Sequence, residues 1–212
     1  MYQPAAFRED DLTALHAFIG GHPLGLLISA GAGGLQANPI PFLLFADEGS
    51  KGVLRCHLSR GNEQWRAIAE GADVLVVFQG TDGYVSPSWY PAKAEHGKVV
   101  PTWNYGVVQA RGAARVIDDA AWLHANVSAL SDAHEGSRPK PWAVTDAPDA
   151  YIAAQLRGIV GVEIVIDGLE GKFKYSQNRP VADRAGVADG LAVEPSENAQ
   201  AHSQMVRQFG KF

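Results

Sequence analysis

The sequence contains only one cysteine, Cys56, among 212 residues. A lone cysteine rules out an intrachain disulfide and a cysteine-based metal centre, which favours a reducing compartment. No apolar run reaches the ~20 residues that a membrane helix needs, and the opening residues MYQPAAFREDD are polar and acidic. We therefore predict a cytoplasmic protein that makes no contact with a membrane.

Positive charge is also scarce. The chain has 18 Lys and Arg residues against 23 Asp and Glu residues, which gives a net charge of -5 and a sequence pI near 5.8. Binding to nucleic acid needs clustered cations that neutralise phosphates, so the composition does not support DNA as a partner, although a local basic patch stays possible.

Several catalytic and metal-binding patterns are missing. The sequence has no G-x-S-x-G motif, no P-loop and no G-x-G-x-x-G motif, and its seven histidines include no H-x-x-x-H pair. These absences argue against a nucleophile elbow, a nucleotide-binding turn and a histidine-based metal site. No residue stands out as a general acid or base, so whether the protein is an enzyme stays open.

The first half of the chain has strand patterns and the second half has helical ones. Apolar runs separated by Gly-rich and acidic turns predict strands at 24–30, 34–45, 52–60 and 73–80, and the β pattern continues through GYVSPSWY and TWNYGVVQARGAARVID. In the latter segment Val108, Ala110 and Gly112 alternate with Gln109, Arg111 and Ala113, which predicts a half-buried strand. Helices are expected at 10–19, with an Asp cap, and at 62–70, with Asn62 as cap and Trp65, Ile68 and Ala69 facing inward. Further helices are expected after residue 118 and at 148–160, before a return to strand at 161–178.

This order of elements predicts one domain of the mainly β class with helices (α+β). Short strands without β-α-β alternation favour a small antiparallel barrel with helical decoration, since closure removes exposed strand edges. The domain should span 1–212, with C-terminal helices at about 179–212.

Three segments have the composition of a ligand site. In HLSRGNEQW, Ser59 and Arg60 end a strand and Asn62 opens a helix, an arrangement that suits a phosphate or carboxylate. The structural alternative is that Asn62 is only a helix cap and Arg60 only a solvated strand end.

The second segment, GYVSPSWYPAK, and its neighbour VPTWNYG combine aromatic, proline and hydroxyl side chains. Aromatic residues usually belong to a core. However, adjacent residues of a strand face opposite ways, so Trp89 and Tyr90 cannot both point inward from one strand. One of them should contact solvent, a ligand or another subunit, and core and pocket remain equal alternatives.

The third segment, GKFKYSQNRP, places Lys172 and Lys174 on one strand face, followed by a dense set of hydrogen-bond donors. Such donors suit an anionic or carbonyl-rich ligand. The alternative is an edge strand that lysines protect from aggregation.

Five segments of the chain carry a resemblance to a known family and occur in one order: MYQPAAF, HLSRGNEQW, VVFQGTDGYVSPSWYPAK, VPTWNYGVVQARG and LRGIVGVEIVIDGLEGKFKYSQNRPVADRAGVADGL. In these segments the chain resembles the PaiB-type family of FMN-binding negative transcriptional regulators. The resemblance extends from residue 1 to about 191. It implies an antiparallel split β-barrel of the FMN-binding type, similar to pyridoxamine-phosphate oxidase, that forms a homodimer with FMN between the subunits.

The resemblance also implies a set of FMN-binding residues. The turn after the strand at 52–60 would hold the phosphate, the aromatic segments would flank the ring or meet the partner, and the GKFKYSQN segment would add donors. The implied residues are Ser59, Arg60, Asn62, Gln64, Trp89, Trp103, Asn104, Lys174, Ser176, Gln177 and Asn178.

Three functions from different classes remain open. The first is a flavin-binding regulator or sensor, and the second is a flavin-dependent oxidoreductase, in which FMN supplies the chemistry. The third is a barrel that binds another flat anion such as haem, for which His57 is the only histidine near the implied groove.

Overall fold

The computed structural model describes residues 1–210 and 212, which form eight strands and seven α-helices. The strands are β1 (Arg8–Glu9), β2 (Leu24–Gly31), β3 (Gly34–Pro41), β4 (Leu43–Phe45), β5 (Val53–Ser59), β6 (Asp73–Val85), β7 (Thr102–Ile117) and β8 (Ile159–Lys174). The helices are α1 (Leu12–Gly21), α2 (Gln64–Ala69), α3 (Ala92–His96), α4 (Ala120–Glu135), α5 (Asp149–Leu156), α6 (Val181–Ala192) and α7 (Glu197–Gly210). Among these described helices, none combines the length and apolar character needed to cross a bilayer.

The strands form one antiparallel sheet in the order β3-β2-β6-β7-β8-β5-β4, and β1 pairs with the far end of β8. The predicted antiparallel, mainly β fold of the split-barrel type is confirmed, but the expectation of full closure is wrong, because β3 and β4 form the two ends of the sheet. The edges are protected in another way. The edge strand β3 contains Pro39 and Pro41, which donate no backbone hydrogen bond, and β4 has only three residues.

The chain forms two compact units. The first unit contains residues 1–15, 79–108 and 170–212, and the second contains residues 16–78 and 109–169. The boundaries fall inside α1, β6, β7 and β8, so each of these elements contributes residues to both units.

The second unit is organised around alternating strand residues. Leu27, Leu54, Val76 and Ile164 are completely buried, as the period of two in their strands predicts. The strand β7, which contributes to both units, follows the same period of two at Val108 and Ala110, which are buried, while Gln109 and Gly112 are partly exposed and Arg111 is exposed.

A buried carboxylate lies on β8 of the second unit. Glu163 is 5% exposed and accepts hydrogen bonds from Arg55 Nε at 2.7 Å and Arg115 Nε at 2.8 Å. Although burial opposes ionisation, these two guanidinium groups hold the pKa of Glu163 below its usual value. The carboxylate is therefore a structural anchor for β5, β7 and β8.

The first unit is completed by the helical pair α6 and α7, which pack against each other. Ser203 Oγ of α7 donates to the Ala188 carbonyl of α6 at 2.7 Å. Tyr175 follows β8, and its ring stacks on Phe209 at 5.0 Å and contacts His202 at 5.2 Å. The α7 helix therefore covers the face of this segment opposite to Lys172 and Lys174.

Two local predictions are wrong. Of the predicted β segment GYVSPSWY, the first three residues belong to β6, but Pro87–Trp89 form a 3-10 helix, in which Ser86 Oγ accepts from Ser88 N. Ala69 is exposed, while Ile68 is buried and Trp65 is half-buried. The helix α2 has only six residues, which limits the number of its positions that can face the core.

Acid should destabilise the protein through His202. Its ring is completely buried, and this burial lowers its pKa from 6.5 to about 4, although the Asp82 charge acts the other way. The depressed pKa means that neutral His202 stabilises the fold fully above about pH 6.5 and that this contribution is lost as the pH falls towards 4, by up to about 3 kcal/mol.

The measurement is urea unfolding from pH 7 to pH 4 for the parent chain and for His202→Phe, which cannot titrate. We expect a shallower loss of stability in the variant. His124→Gln, on the exposed side of α4, is the control and should follow the parent. Parallel curves for the parent and His202→Phe would contradict the prediction.

Candidate functional site

Three cations of the first unit lie on and just after the end of β8. We call Lys172, Lys174 and Arg179 the cationic cluster. Lys172 is only 8% exposed, and its Nζ lies 5.1 Å from the Tyr105 ring centroid, while Lys174 Nζ lies 5.9 Å from the same centroid. The Arg179 guanidinium lies 5.0 Å above the ring of Tyr90. Each of the three cations therefore lies within cation–π distance of an aromatic ring.

The cationic cluster has no carboxylate partner among the ion pairs of the described residues. Lys174 Nζ instead donates to Thr102 Oγ1 and to the Trp103 carbonyl, both at 2.6 Å. Burial lowers the pKa of Lys174, and the charges of Lys172 and Arg179 lower it further. An anion placed here would offset this repulsion.

A buried amide lies in the same unit. Asn104 is completely buried, its Nδ2 donates to Ser176 Oγ at 2.8 Å, and its Oδ1 has no hydrogen-bond partner. Ser176 has a φ of 66°, in the left-handed region that non-glycine residues occupy at an energetic cost. A buried acceptor without a donor beside a strained residue costs free energy, and native structures rarely keep such a pair without a reason.

The next two residues of the SQN segment differ in their surroundings. Gln177 Oε1 accepts from Tyr175 N at 2.7 Å, and Gln177 Nε2 donates to the Phe173 carbonyl. Its amide therefore shapes the turn after β8. Asn178 is exposed.

The two predicted tryptophans have different environments. Trp103 is 55% exposed, and its ring meets that of Tyr84 edge-on at 6.1 Å. Trp89 packs against α6, where a Cβ on Gly190 would lie 2.4 Å from the indole ring. Trp103 therefore offers aromatic surface, while Trp89 also anchors a helix.

The turn predicted to hold a phosphate belongs to the second unit, and most of its polar groups already have partners. Arg60 Nε donates to the Arg157 carbonyl at 2.9 Å, and Arg60 Nη2 pairs with Asp118. Ser59 Oγ accepts from Gly61 N at 3.2 Å, and Asn62 Oδ1 accepts from Gln64 N at 3.1 Å.

Gln64 is completely buried. Its Nε2 donates to the Leu27 carbonyl at 2.9 Å, and its Oε1 accepts from Asn38 Nδ2 at 3.0 Å. This amide joins α2 to β2 and β3, so its observed contacts are those of a structural residue.

Seven residues of the predicted set lie in the first unit, namely Trp89, Trp103, Asn104, Lys174, Ser176, Gln177 and Asn178, whereas Ser59, Arg60, Asn62 and Gln64 lie in the second. The structure adds residues that the predicted site omits, namely Lys172, Arg179 and Tyr105. Lys172 could have been included from the sequence, because it is two residues from Lys174 and therefore lies on the same face of the strand. No sequence signal pointed to the contact of these lysines with Tyr105, because Tyr105 lies on β7 and the lysines lie on β8.

Comparison with known proteins gives the family. Residues 1–168 match the family described as "Putative FMN-binding domain". The chain belongs to this family. Two relatives extend the similarity beyond residue 168. An uncharacterized protein of Emericella nidulans is 35% identical over 100% of this chain and 98% of its own length. Protease synthase and sporulation protein PAI 2 of Bacillus subtilis is 29% identical over 97% of this chain and 96% of its own length.

Solved structures share the fold of this FMN-binding family member. The FAD and heme binding protein from Mycobacterium smegmatis superposes with a TM-score of 0.57 at 20% identity, covering 79% of this chain and 73% of its own. A conserved hypothetical protein from Mycobacterium tuberculosis gives a TM-score of 0.59 at 13% identity, and the alignment covers 85% of this chain and 94% of that protein. At these identities the likeness establishes the fold alone.

Proposed function

We propose that this chain binds a flavin, FMN, at the cationic cluster and acts as a homodimeric flavin-responsive regulator. The observation that carries the proposal is the cationic cluster itself. Lys172 and Lys174 lie over the ring of Tyr105 and Arg179 lies over that of Tyr90. Lys172 is 8% exposed and has no carboxylate partner among the ion pairs of the described residues. The family description and the flavoproteins of the same fold support a flavin as the occupant.

The side chains fit the chemical groups of FMN. Lys172, Lys174 and Arg179 would pair with the phosphate, since cations donate their strongest hydrogen bonds to such oxygens. Asn104 faces the other side of β7 from Trp103 and Tyr105, and it would hold Ser176 in the turn beside the cationic cluster through its hydrogen bond to Ser176 Oγ. The exposed ring of Trp103 would stack on the flat ring system.

Other members of the predicted set would support these contacts. Ser176, Gln177 and Asn178 would shape the turn beside the cationic cluster, and Trp89 would hold α6 in place. Bound flavin would supply electron or hydride transfer, and the chain itself would position the ligand.

The homodimer part of the proposal has its own support in the second unit. Leu24, Leu26 and Leu35 are 64%, 39% and 79% exposed. They lie on one face, because Leu24 and Leu26 are two residues apart and Leu35 pairs with Ala30 of the same face. An apolar face of this kind is typical of a surface that a second copy covers.

A regulatory role is supported by the relative in Bacillus subtilis, whose name links it to protease synthesis and sporulation. The net charge of -5 favours action through bound flavin or a protein partner over direct binding to DNA. Loss of retention on DNA at modest salt would agree with this, because weak electrostatic contacts dissociate there.

The test is titration of the apo-protein with FMN and with riboflavin, followed by flavin fluorescence on samples sized as monomer or dimer. We expect saturation near one FMN per chain in the dimer and weaker binding of riboflavin, which has no phosphate. No FMN binding at tens of micromolar, a free energy weaker than about −6 kcal/mol, would overturn the proposal.

The variant Arg60→Ala tests whether the FMN phosphate lies at the Ser59–Gln64 turn. Because Asp118 and the Arg157 carbonyl already occupy the Arg60 guanidinium, we expect FMN affinity to change by less than about threefold, or ~0.7 kcal/mol. Arg66→Ala is the matched control, since Arg66 is exposed and pairs with Glu63 of the same turn. A loss above about tenfold, or ~1.4 kcal/mol, would move the phosphate to the Ser59–Gln64 turn.

A further inference from the structure

One face of α4 lines a cavity of about 290 Å³ in the second unit. Trp122, Ala125, Asn126 and Ala129 follow the i, i+3, i+4, i+7 spacing of a single helix face, and Phe45 of β4 and Arg55 of β5 form the rest of the lining. The two alanines leave the space open, while Trp122 and Asn126 give it an aromatic and a polar side chain. No motif in the sequence pointed to a site at these residues.

Asn126 is the unusual member of this lining. It is 5% exposed, and neither its Nδ2 nor its Oδ1 has a hydrogen-bond partner. A buried amide that satisfies neither group costs free energy, and native structures rarely keep one without a reason. The unused donor and acceptor therefore point to a ligand that provides both.

The aromatic walls are held in position. A Cβ on Gly161 of β8 would lie 2.2 Å from the Trp122 ring, so glycine at this position is what lets the indole pack against the strand. On the other wall, the Arg55 guanidinium stacks 4.1 Å above the Phe45 ring. Both walls present flat groups, which favours a flat ligand.

The charge of the lining is balanced. Arg55 pairs with Glu48 and with Glu163, each at 2.7 Å. An anion entering the cavity would have to compete with these two carboxylates, and a cation would meet the guanidinium. A neutral ligand faces neither cost.

We infer that the Asn126 cavity binds a neutral, planar nitrogen heterocycle with a donor beside an acceptor on one edge, as in a nucleobase or a nicotinamide carboxamide. The Asn126 amide matches such an edge with two hydrogen bonds, as asparagine does when it pairs with adenine. Trp122 and Phe45 supply the stacking surfaces. This site uses no residue of the proposed flavin site and stands independently of it.

The test uses uracil and nicotinamide as separate probes and toluene as a flat probe that lacks a polar edge. Binding is followed by saturation-transfer NMR and by the side-chain amide resonances of Asn126, with probe concentrations up to about 10 mM, above the ~1 mM expected of so small a ligand. We expect uracil or nicotinamide to shift the Asn126 resonances.

Two variants make the test specific. Asn126→Leu keeps the size of the side chain and removes both hydrogen-bonding groups, so it should weaken heterocycle binding by more than tenfold, retain toluene binding and leave FMN affinity unchanged. Ala125→Leu, at the exposed side of the lining, should block every probe.

The inference is overturned if neither heterocycle shifts the Asn126 resonances, or if Asn126→Leu binds uracil and nicotinamide as tightly as the parent chain. Unfolding by urea confirms that each variant is folded before binding is compared. If Asn126→Leu fails to fold, Asn126→Ala takes its place under the same criteria.

Discussion

Lys172→Met is expected to weaken FMN binding between about tenfold and a hundredfold and, at the same time, to make the apo-protein more stable. Methionine keeps the length of the side chain but loses the charge. A charge-assisted hydrogen bond contributes about 1.5–3 kcal/mol, which sets the loss in affinity. The gain in apo stability, about 1 kcal/mol, follows because Lys172 is 8% exposed and has no carboxylate partner.

The opposite signs make this prediction specific. Flavin fluorescence titration gives the affinity, and urea unfolding without FMN gives the stability. Lys93→Met is the control, since Lys93 is an exposed lysine of the same unit and should change both quantities little. If Lys172→Met lost stability and kept its affinity, the buried lysine would be a structural residue and the cationic cluster would not be the flavin site.

Gly112→Ala is expected to destabilise the second unit by more than about 3 kcal/mol, which for a chain of this size lowers Tm by roughly 10 °C. A Cβ at this position of β7 would lie 1.8 Å from the Val165 carbonyl oxygen of β8. Because the obstacle is backbone, no side-chain rotation can relieve the overlap. The two strands would have to separate.

Gly20→Ala provides the control in thermal unfolding. Gly20 lies in α1, and a Cβ added there would have nothing within 4 Å, so alanine should stabilise the protein by about 0.5–1 kcal/mol. A Tm for Gly112→Ala within about 2 °C of the parent would mean that β7 and β8 tolerate more separation than their contact suggests.

Features set by short-range pattern could be predicted from the sequence. The strands at β2 and β5, the helices α4 and α5 and the half-buried face around Val108 follow from periodicity. The antiparallel class followed from the absence of β-α-β alternation. Closure of the sheet did not follow, because it depends on whether β3 and β4 meet, and no local pattern encodes that pairing.

The candidate site was predictable to the extent that it lies on one strand. The donors near Lys174 and Ser176 are close in sequence, so their composition pointed to a ligand. Gln64 has the same chemistry, but its amide is used by Leu27 and Asn38. Which polar groups remain without partners, as in Asn104 and Asn126, depends on packing between distant segments, and this information becomes available only in three dimensions.

The pairing of β1 with β8 has a consequence for biosynthesis. Arg8 and Glu9 pair with Lys172 and Gly171, so these early residues cannot reach their native neighbours until the ribosome has added the end of β8. The covering helix α7, which packs on Tyr175 through Phe209, follows later still. Contacts so distant in sequence form slowly, and the nascent first unit must keep Phe173 and Tyr175 from aggregating meanwhile. Chaperone demand during translation should therefore be greatest for the first unit, which contains the cationic cluster.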